Sequence, residues 1–247
     1  VAFHPIRSLL GKEGQDVYLQ VQSGLVLGPR KLRPMKVQPG AAFLQSMTDS
    51  VAVVTEGPFQ LGYVRVYSYA GEAYQQRLLE LLEGPLAEAD GLVWDLRGGW
   101  GGAQAQYLEV FQPLPRMTVK ERDKPPATWD SGHWNRPVVM LVNERSRSGK
   151  EILAYGFKSL GLGPVVGSNT AGAVSGGRLY LLPDGCALYL AVMDVEIDGH
   201  RLEGQGVAPD QVMSEPILPS AEPTVKEQAL RRLYLEIDSN NSSGRAR

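Results

Sequence analysis

Ser148 carries the strongest chemical signal in the chain. It sits in NERSRSGKEILA (143–154), directly after an apolar run (Val138, Val139, Met140, Leu141, Val142) and directly before a helical pattern marked by Ile152, Leu153, Phe157 and Leu160. A serine at such a strand-to-helix turn has its hydroxyl at a helix N-terminus, where backbone N–H groups can hold a developing oxyanion. The same position also suits a plain N-cap, and the local pattern alone leaves both readings open. A second candidate is GGWGG (98–102), which follows the buried-type strand GLVWDLR and precedes a helical stretch through Ala105, Tyr107, Leu108, Val110 and Phe111. A glycine turn between strand and helix is a generic anion cradle. It is not GxxxxGK[ST], which argues against a nucleotide P-loop; the plain alternative is a tight turn that lets helix and strand pack closely.

These residues need elements to position them. Residues 1–23 read as a short helix around Ile6 to Leu10, a turn, and a strand with Val17, Leu19 and Val21 on one face. Residues 24–60 are rich in Gly and Pro and read as extended chain with one strand at 51–55. LGYVRVYSY (61–69) alternates as a strand, and 71–89 predicts a helix faced by Leu78, Leu79, Leu81, Leu82 and Leu86, interrupted at Gly84 and Pro85. Residues 112–135 predict a long surface loop holding Trp129, His133 and Trp134, either pinning the loop or walling a substrate. After a short strand at 164–166 and a small-residue loop at 168–177, strands at 178–182 and 186–192 join through Pro183, Asp184 and Gly185 as a hairpin. A closing amphipathic helix runs 226–237, and the last ten residues are expected to be disordered. Strands alternating with helices, then a β-rich tail, predict an α/β core.

The 247 residues suffice for one large domain or two small ones. A net charge of −2 gives no reason to expect nucleic acid or an acidic membrane surface as partner. The single cysteine, Cys186, allows no intrachain disulfide, and three histidines give no metal-ligand cluster, so no metal and no cofactor is expected. No apolar run is long enough to span a bilayer. The chain starts at Val1 without an initiator Met or a signal-peptide pattern and is read as a processed or truncated product.

Four segments in order resemble one family. GYVRVYSY is similar to its Gly-Tyr-Ile-x-Ile strand, DLRGGWGG to its Asp-Leu-Arg-x-Asn-x-Gly-Gly turn, NERSRSGKEILA to its Ser-Ala-Ser-Ala-Ser-Glu segment, and LEGQGVAPDQVM to its Glu-Gly-x-Gly-Val-x-Pro-Asp motif. The family is the carboxy-terminal processing (tail-specific) proteases and their tricorn-like and retinoid-binding-protein-like relatives. The resemblance covers roughly residues 40–215. It implies a crotonase-like (ClpP/crotonase) α/β protease core after a PDZ domain. The chain then divides into the end of a truncated PDZ-like domain and linker (1–37), the protease core (38–238) and a tail (239–247).

The resemblance also implies roles. Ser148 falls on the nucleophile, and the backbone N–H groups of Gly101 and Gly149 on the oxyanion hole. Peptide or protein C-termini are the implied substrate, and the bacterial cell envelope the implied location. One departure matters. The family's basic lysine, in Thr-x-Gly-Lys-Gly, falls on Ala173, which has no group to take a proton. The motif's third serine is Lys150. As a helical residue it faces away from Ser148 and is expected to be solvated or ion-paired; only an elbow at 148–150 would let it act as base. Three accounts stay open: another base such as Lys150 or a histidine, a non-catalytic peptide- or ligand-binding member, or an alanine introduced to trap substrate. An acyl-CoA enzyme of the crotonase type ranks last, since it gives this serine no role.

Overall fold

The computed structural model describes residues 9, 11–23, 26–112, 117–119, 127–129, 134–215 and 223–244. Two compact units are distinguished, Val1–Ala42 and Phe43–Arg247. In the first, β1 (Val17–Ser23) and β2 (Val26–Leu32) pair as an antiparallel hairpin. Asp16 holds Lys31 and Arg33 at 2.7 and 2.9 Å beside it. The helix expected around Ile6 to Leu10 lies almost wholly outside the described residues.

A helix, α1 (Pro39–Asp49), stands where Pro39 and Gly40 predict extended chain. Proline is accommodated in the first turn of a helix because its missing N–H would have no acceptor there, so the two turn formers start this helix rather than prevent it.

The second unit is built on a six-stranded sheet. Its strands are β3 (Ala52–Glu56), β4 (Phe59–Arg65), β5 (Gly91–Asp95), β8 (Val138–Val142), β9 (Val165–Gly167) and β14 (Gln211–Val212). The spatial order is β14-β9-β8-β5-β4-β3, parallel throughout except for the β3–β4 hairpin. Strands β5 and β8 are buried at every position because helices cover both sheet faces. Val93, Val139 and Leu141 pack under α4 (Val225–Gly244) through Ala229, Leu233 and Ile237. Leu92, Trp94, Met140 and Val142 face the other way, against α2 (Ala73–Glu83), a 3-10 helix (Ala105–Phe111) and α3 (Gly149–Ser159). Burial on both faces also explains why β4 is buried from Leu61 to Val64, although its alternation reads as one-sided.

Other expectations are adjusted. Helix α2 stops at Glu83, where Gly84 and Pro85 end it. The stretch after GGWGG is a 3-10 turn, not an α-helix. Within 112–135, β6 (Met117–Val119) and β7 (Ala127–Trp129) pair, and Trp134 is buried under the Arg136 guanidinium; His133 lies outside the described residues. Leu160 is exposed at the end of α3. Helix α4 continues through Gly244, past the point where a disordered tail is expected, because extending an established helix costs far less than starting one. The hairpin of β10 (Gly176–Leu181) and β11 (Ala187–Met193) forms as expected and is exposed along almost its whole length. Two short strands, β12 (Glu196–Ile197) and β13 (His200–Arg201), follow it.

Candidate active site

The segments after β5, β8 and β9 all leave the carboxyl ends of adjacent parallel strands, where open α/β sheets form their clefts. Residues 96–102, 143–148 and 168–175 therefore meet although they are far apart in sequence. Asn143 joins the first two: its Oδ1 accepts from the Gly98 N–H at 3.0 Å. Ser146 does the same from below, donating to the Leu96 carbonyl at 2.9 Å while its own carbonyl accepts from the Ala171 N–H at 2.9 Å.

Ser148 adopts φ 56° and ψ −130°. A non-glycine residue in this region costs on the order of 1–3 kcal/mol and persists only where its surroundings hold it. Its N–H is held by the Ala173 carbonyl at 2.9 Å and by Glu151 Oε2 at 3.0 Å. Glu151, the third residue of α3, is fully buried. Its carboxylate also accepts from Thr170 Oγ1 at 2.7 Å and from the N–H groups of Gly172 and Ala173 at 2.6 and 2.9 Å. Ser148 is thus both the cap of α3 and the point of a sharp elbow, so the two readings of its position are not exclusive.

Gly101 lies directly against this elbow. A Cβ on Gly101 would come within 2.5 Å of Ser148 Cβ and 3.0 Å of its Oγ, and one on Gly149 within 2.3 Å of the Ala103 nitrogen. Only glycine fits either place. Among the described residues the N–H groups of Gly101 and Gly149 donate to no protein acceptor; that of Gly149, the first of α3, has none within its helix. Ser148, Gly101, Ala173 and Glu203 line a cavity of about 650 Å³, with Trp100 and Tyr189 among its walls. Glu203 closes the cavity from the 202–210 segment. Its Oε2 accepts from the Val174 and Ser175 N–H groups, both at 2.7 Å, and these bonds hold its carboxyl below the usual range. Val207 of the same segment docks on Thr170, its N–H donating to the hydroxyl at 2.7 Å.

A profile of peptidase family S41 matches residues 60–213, more than half of the chain. The chain belongs to peptidase family S41. Over 172 residues it is 29% identical to a carboxyl-terminal-processing protease of Synechocystis sp., which covers 66% of this chain and 40% of that protein. It is 28% identical over 218 residues to the protein of the same name from Picosynechococcus sp., covering 84% of this chain and 51% of that one. The chain thus spans about half or less of these relatives' length. Among solved structures, the tricorn protease superposes with a TM-score of 0.60 at 20% identity, covering 94% of this chain and 23% of that one. At that identity the likeness speaks for the fold.

Ala173 is exposed and lines the cavity beside Ser148, while Lys150 departs from its expected surroundings. Lys150 is neither solvated nor ion-paired: it is fully buried, with Nζ donating to the Val66 carbonyl at 2.7 Å and the Gly98 carbonyl at 2.6 Å. The elbow exists, yet the Lys150 side chain turns into the core and makes no hydrogen bond to Ser148. His200 lines a different cavity and lies tilted against the Tyr155 ring, while His4 and His133 lie outside the described residues. Asn143, Ser146, Glu151 and Glu203 were not singled out from the sequence; the Glu within Ser-Ala-Ser-Ala-Ser-Glu and the first Glu of the closing motif were the available signals for two of them.

Burial pushes the Lys150 amine down to about 7; Asp95 opposes this and Arg65 adds to it. Two carbonyls match the two N–H groups of a neutral amine. Since the unfolded chain keeps the ordinary value of 10.5, it holds a proton the folded chain has shed between pH 7 and 10.5. Stability therefore rises with pH across that window and is lost as pH falls toward 7. Measured by urea denaturation at pH 7.5 to 10, the protein should gain about 1.4 kcal/mol per pH unit relative to Lys150→Met, which has no such proton. A constant difference between the two would show that the folded chain leaves the amine at its ordinary proton affinity.

Proposed function

We propose that the chain carries the catalytic core of a serine endopeptidase that processes protein C-termini. Ser148 Oγ attacks a peptide carbonyl carbon, and the carbonyl oxygen takes up the negative charge between the Gly101 and Gly149 N–H groups; the C–N bond then breaks, the proton lost by the Ser148 hydroxyl ends on the departing amine, and water hydrolyses the remaining acyl-enzyme. An oxyanion donor of this kind is worth about 3–4 kcal/mol in the transition state. The observation that supports this most is Gly101, pressed against Ser148 with its N–H unengaged. The core is of the crotonase-like type, residues 1–37 are the end of a PDZ-like domain, and the bacterial cell envelope is the place of action; family membership supports all three.

A fluorophosphonate probe tests the nucleophile. Labelling is expected on the unaltered chain and absent from Ser148→Ala. Equal labelling of the two would remove Ser148 from the mechanism.

Ala173 favours a second reading, a family member that binds peptides without cleaving them, since no amine stands at the family's lysine position. Binding of peptides with free C-termini, with no hydrolysis of a denatured protein substrate, would support it. Cleavage that Ser148→Ala abolishes would end it.

A further inference from the structure

We propose that Lys150 is a positioning residue for the oxyanion turn, tying the helix that carries the nucleophile to the glycine turn that carries the Gly101 amide. The assignment of that turn to an oxyanion rests on the function proposed above; the tie itself does not.

Turn 98–102 needs outside support. Gly98, Gly99 and Gly102 have φ of 63°, 72° and 97°, a run of conformations with large backbone freedom in the unfolded chain. Three of its anchors come from the sheet side. The Gly98 N–H is taken by Asn143, the Trp100 N–H by the Tyr67 carbonyl at 2.9 Å, and the Gly101 carbonyl by the Tyr69 N–H at 3.2 Å. Among the described hydrogen bonds, the only one joining α3 to this turn is Lys150 Nζ to the Gly98 carbonyl. The same amine grips Val66, just beyond β4, so three elements meet at one nitrogen.

The consequence is geometric. Ser148 and Lys150 stand at the two ends of one short rigid piece, the elbow and first turn of α3. Lys150 fixes Gly98 relative to that piece, and Gly101 follows three residues later against Ser148. Without the amine, two buried carbonyls lose their donor and the turn loses its register with the nucleophile, while Asp95, Arg97 and the sheet stay bonded as before. Such a residue acts through the Gly101 amide and touches no substrate.

Lys150→Met keeps length and apolar bulk but removes both donors. Amide hydrogen exchange should quicken about tenfold or more at Gly98 and Trp100, with β5 and the interior of α3 unchanged, as for a local opening. In fluorophosphonate labelling, the maximal rate should fall about tenfold or more with little change in the concentration for half-maximal rate, since only the charge-developing step uses the oxyanion turn. Unchanged exchange at Gly98 and Trp100, or a uniform rise across β5 and α3, would overturn the proposal. If the unaltered chain fails to label, the nucleophile assignment falls, and the exchange data still decide the role of Lys150. Should Lys150→Met not fold, Lys150→Gln is read by the same exchange measurement; failure of both to fold would assign Lys150 to core stability alone and overturn the proposal.

Discussion

Replacing Ala173 with lysine should raise peptide hydrolysis by about 10²- to 10⁴-fold, the range a positioned general base contributes. The Ala173 carbonyl already accepts from the Ser148 N–H at 2.9 Å, so the two backbones are fixed side by side. Its side chain is exposed in the cavity that holds Ser148, leaving room for a flexible four-carbon chain without displacing core atoms. The incoming amine would be partly enclosed and close to the Gly101 and Gly149 amides, an environment that lowers a lysine's proton affinity. Initial rates on a denatured protein substrate should rise with pH as the new amine loses its proton, a limb the unaltered chain lacks. Folding should be nearly unaffected, because the Ala173 side chain is exposed and its backbone bonds to Glu151 and Ser148 do not involve it. If Ser148 labels with the probe while Ala173→Lys gains nothing, the activating group lies elsewhere and the alanine is not the limiting vacancy.

Glu151→Ala should be the most destabilising single change in the site, costing about 3–5 kcal/mol. Four donors converge on this carboxylate. Its removal strands Thr170 Oγ1 and the N–H groups of Gly172 and Ala173, while the Ser148 N–H retains the Ala173 carbonyl. Against a total stability of about 5–15 kcal/mol for a typical domain, such a loss is large. Urea denaturation would show it as a lower midpoint with an unchanged slope. Glu151→Gln, which keeps one acceptor oxygen but turns an N–H₂ toward donors, should fall between the two. Probe labelling should also collapse, because the same carboxylate holds the Ser148 backbone in its positive-φ conformation. A Glu151→Ala chain within 0.5 kcal/mol of the unaltered one would contradict the network described here.

Strands β5 and β8 were legible because their uninterrupted apolar runs reflect burial on both faces. The Ser148 turn and the 202–210 segment were legible because their small and acidic residues recur at family spacing. Helix α1 was not, since Pro39 and Gly40 carry the same local signal whether they end a segment or start a helix. The direction of Lys150 was hidden for a different reason. It depends on one positive φ at Ser148 and on two carbonyls contributed by residues 84 and 52 positions earlier. The partners of Glu151 were hidden because three of the four are backbone N–H groups, two of them in a loop some twenty residues away, and backbone groups leave no trace in residue identity. The tail beyond Ile237 misled because Ser and Asn are poor helix formers alone, while the preceding turns of α4 carry them.

The parallel pairing of β5 with β8 has a consequence for how such a chain can change over time. The glycine turn and the serine elbow are fixed by neighbouring strand ends, with Asp95 paired in register to Leu141. The crossover between them packs Leu108, Phe111 and Trp134 into the core, but residues 112–133 belong to neither anchor. Insertions or grafts within 112–133 leave Gly101 and Ser148 where the strand ends hold them. Variation between relatives should accumulate there, and recognition of different partners can be added there while the chemistry stays where the sheet puts it.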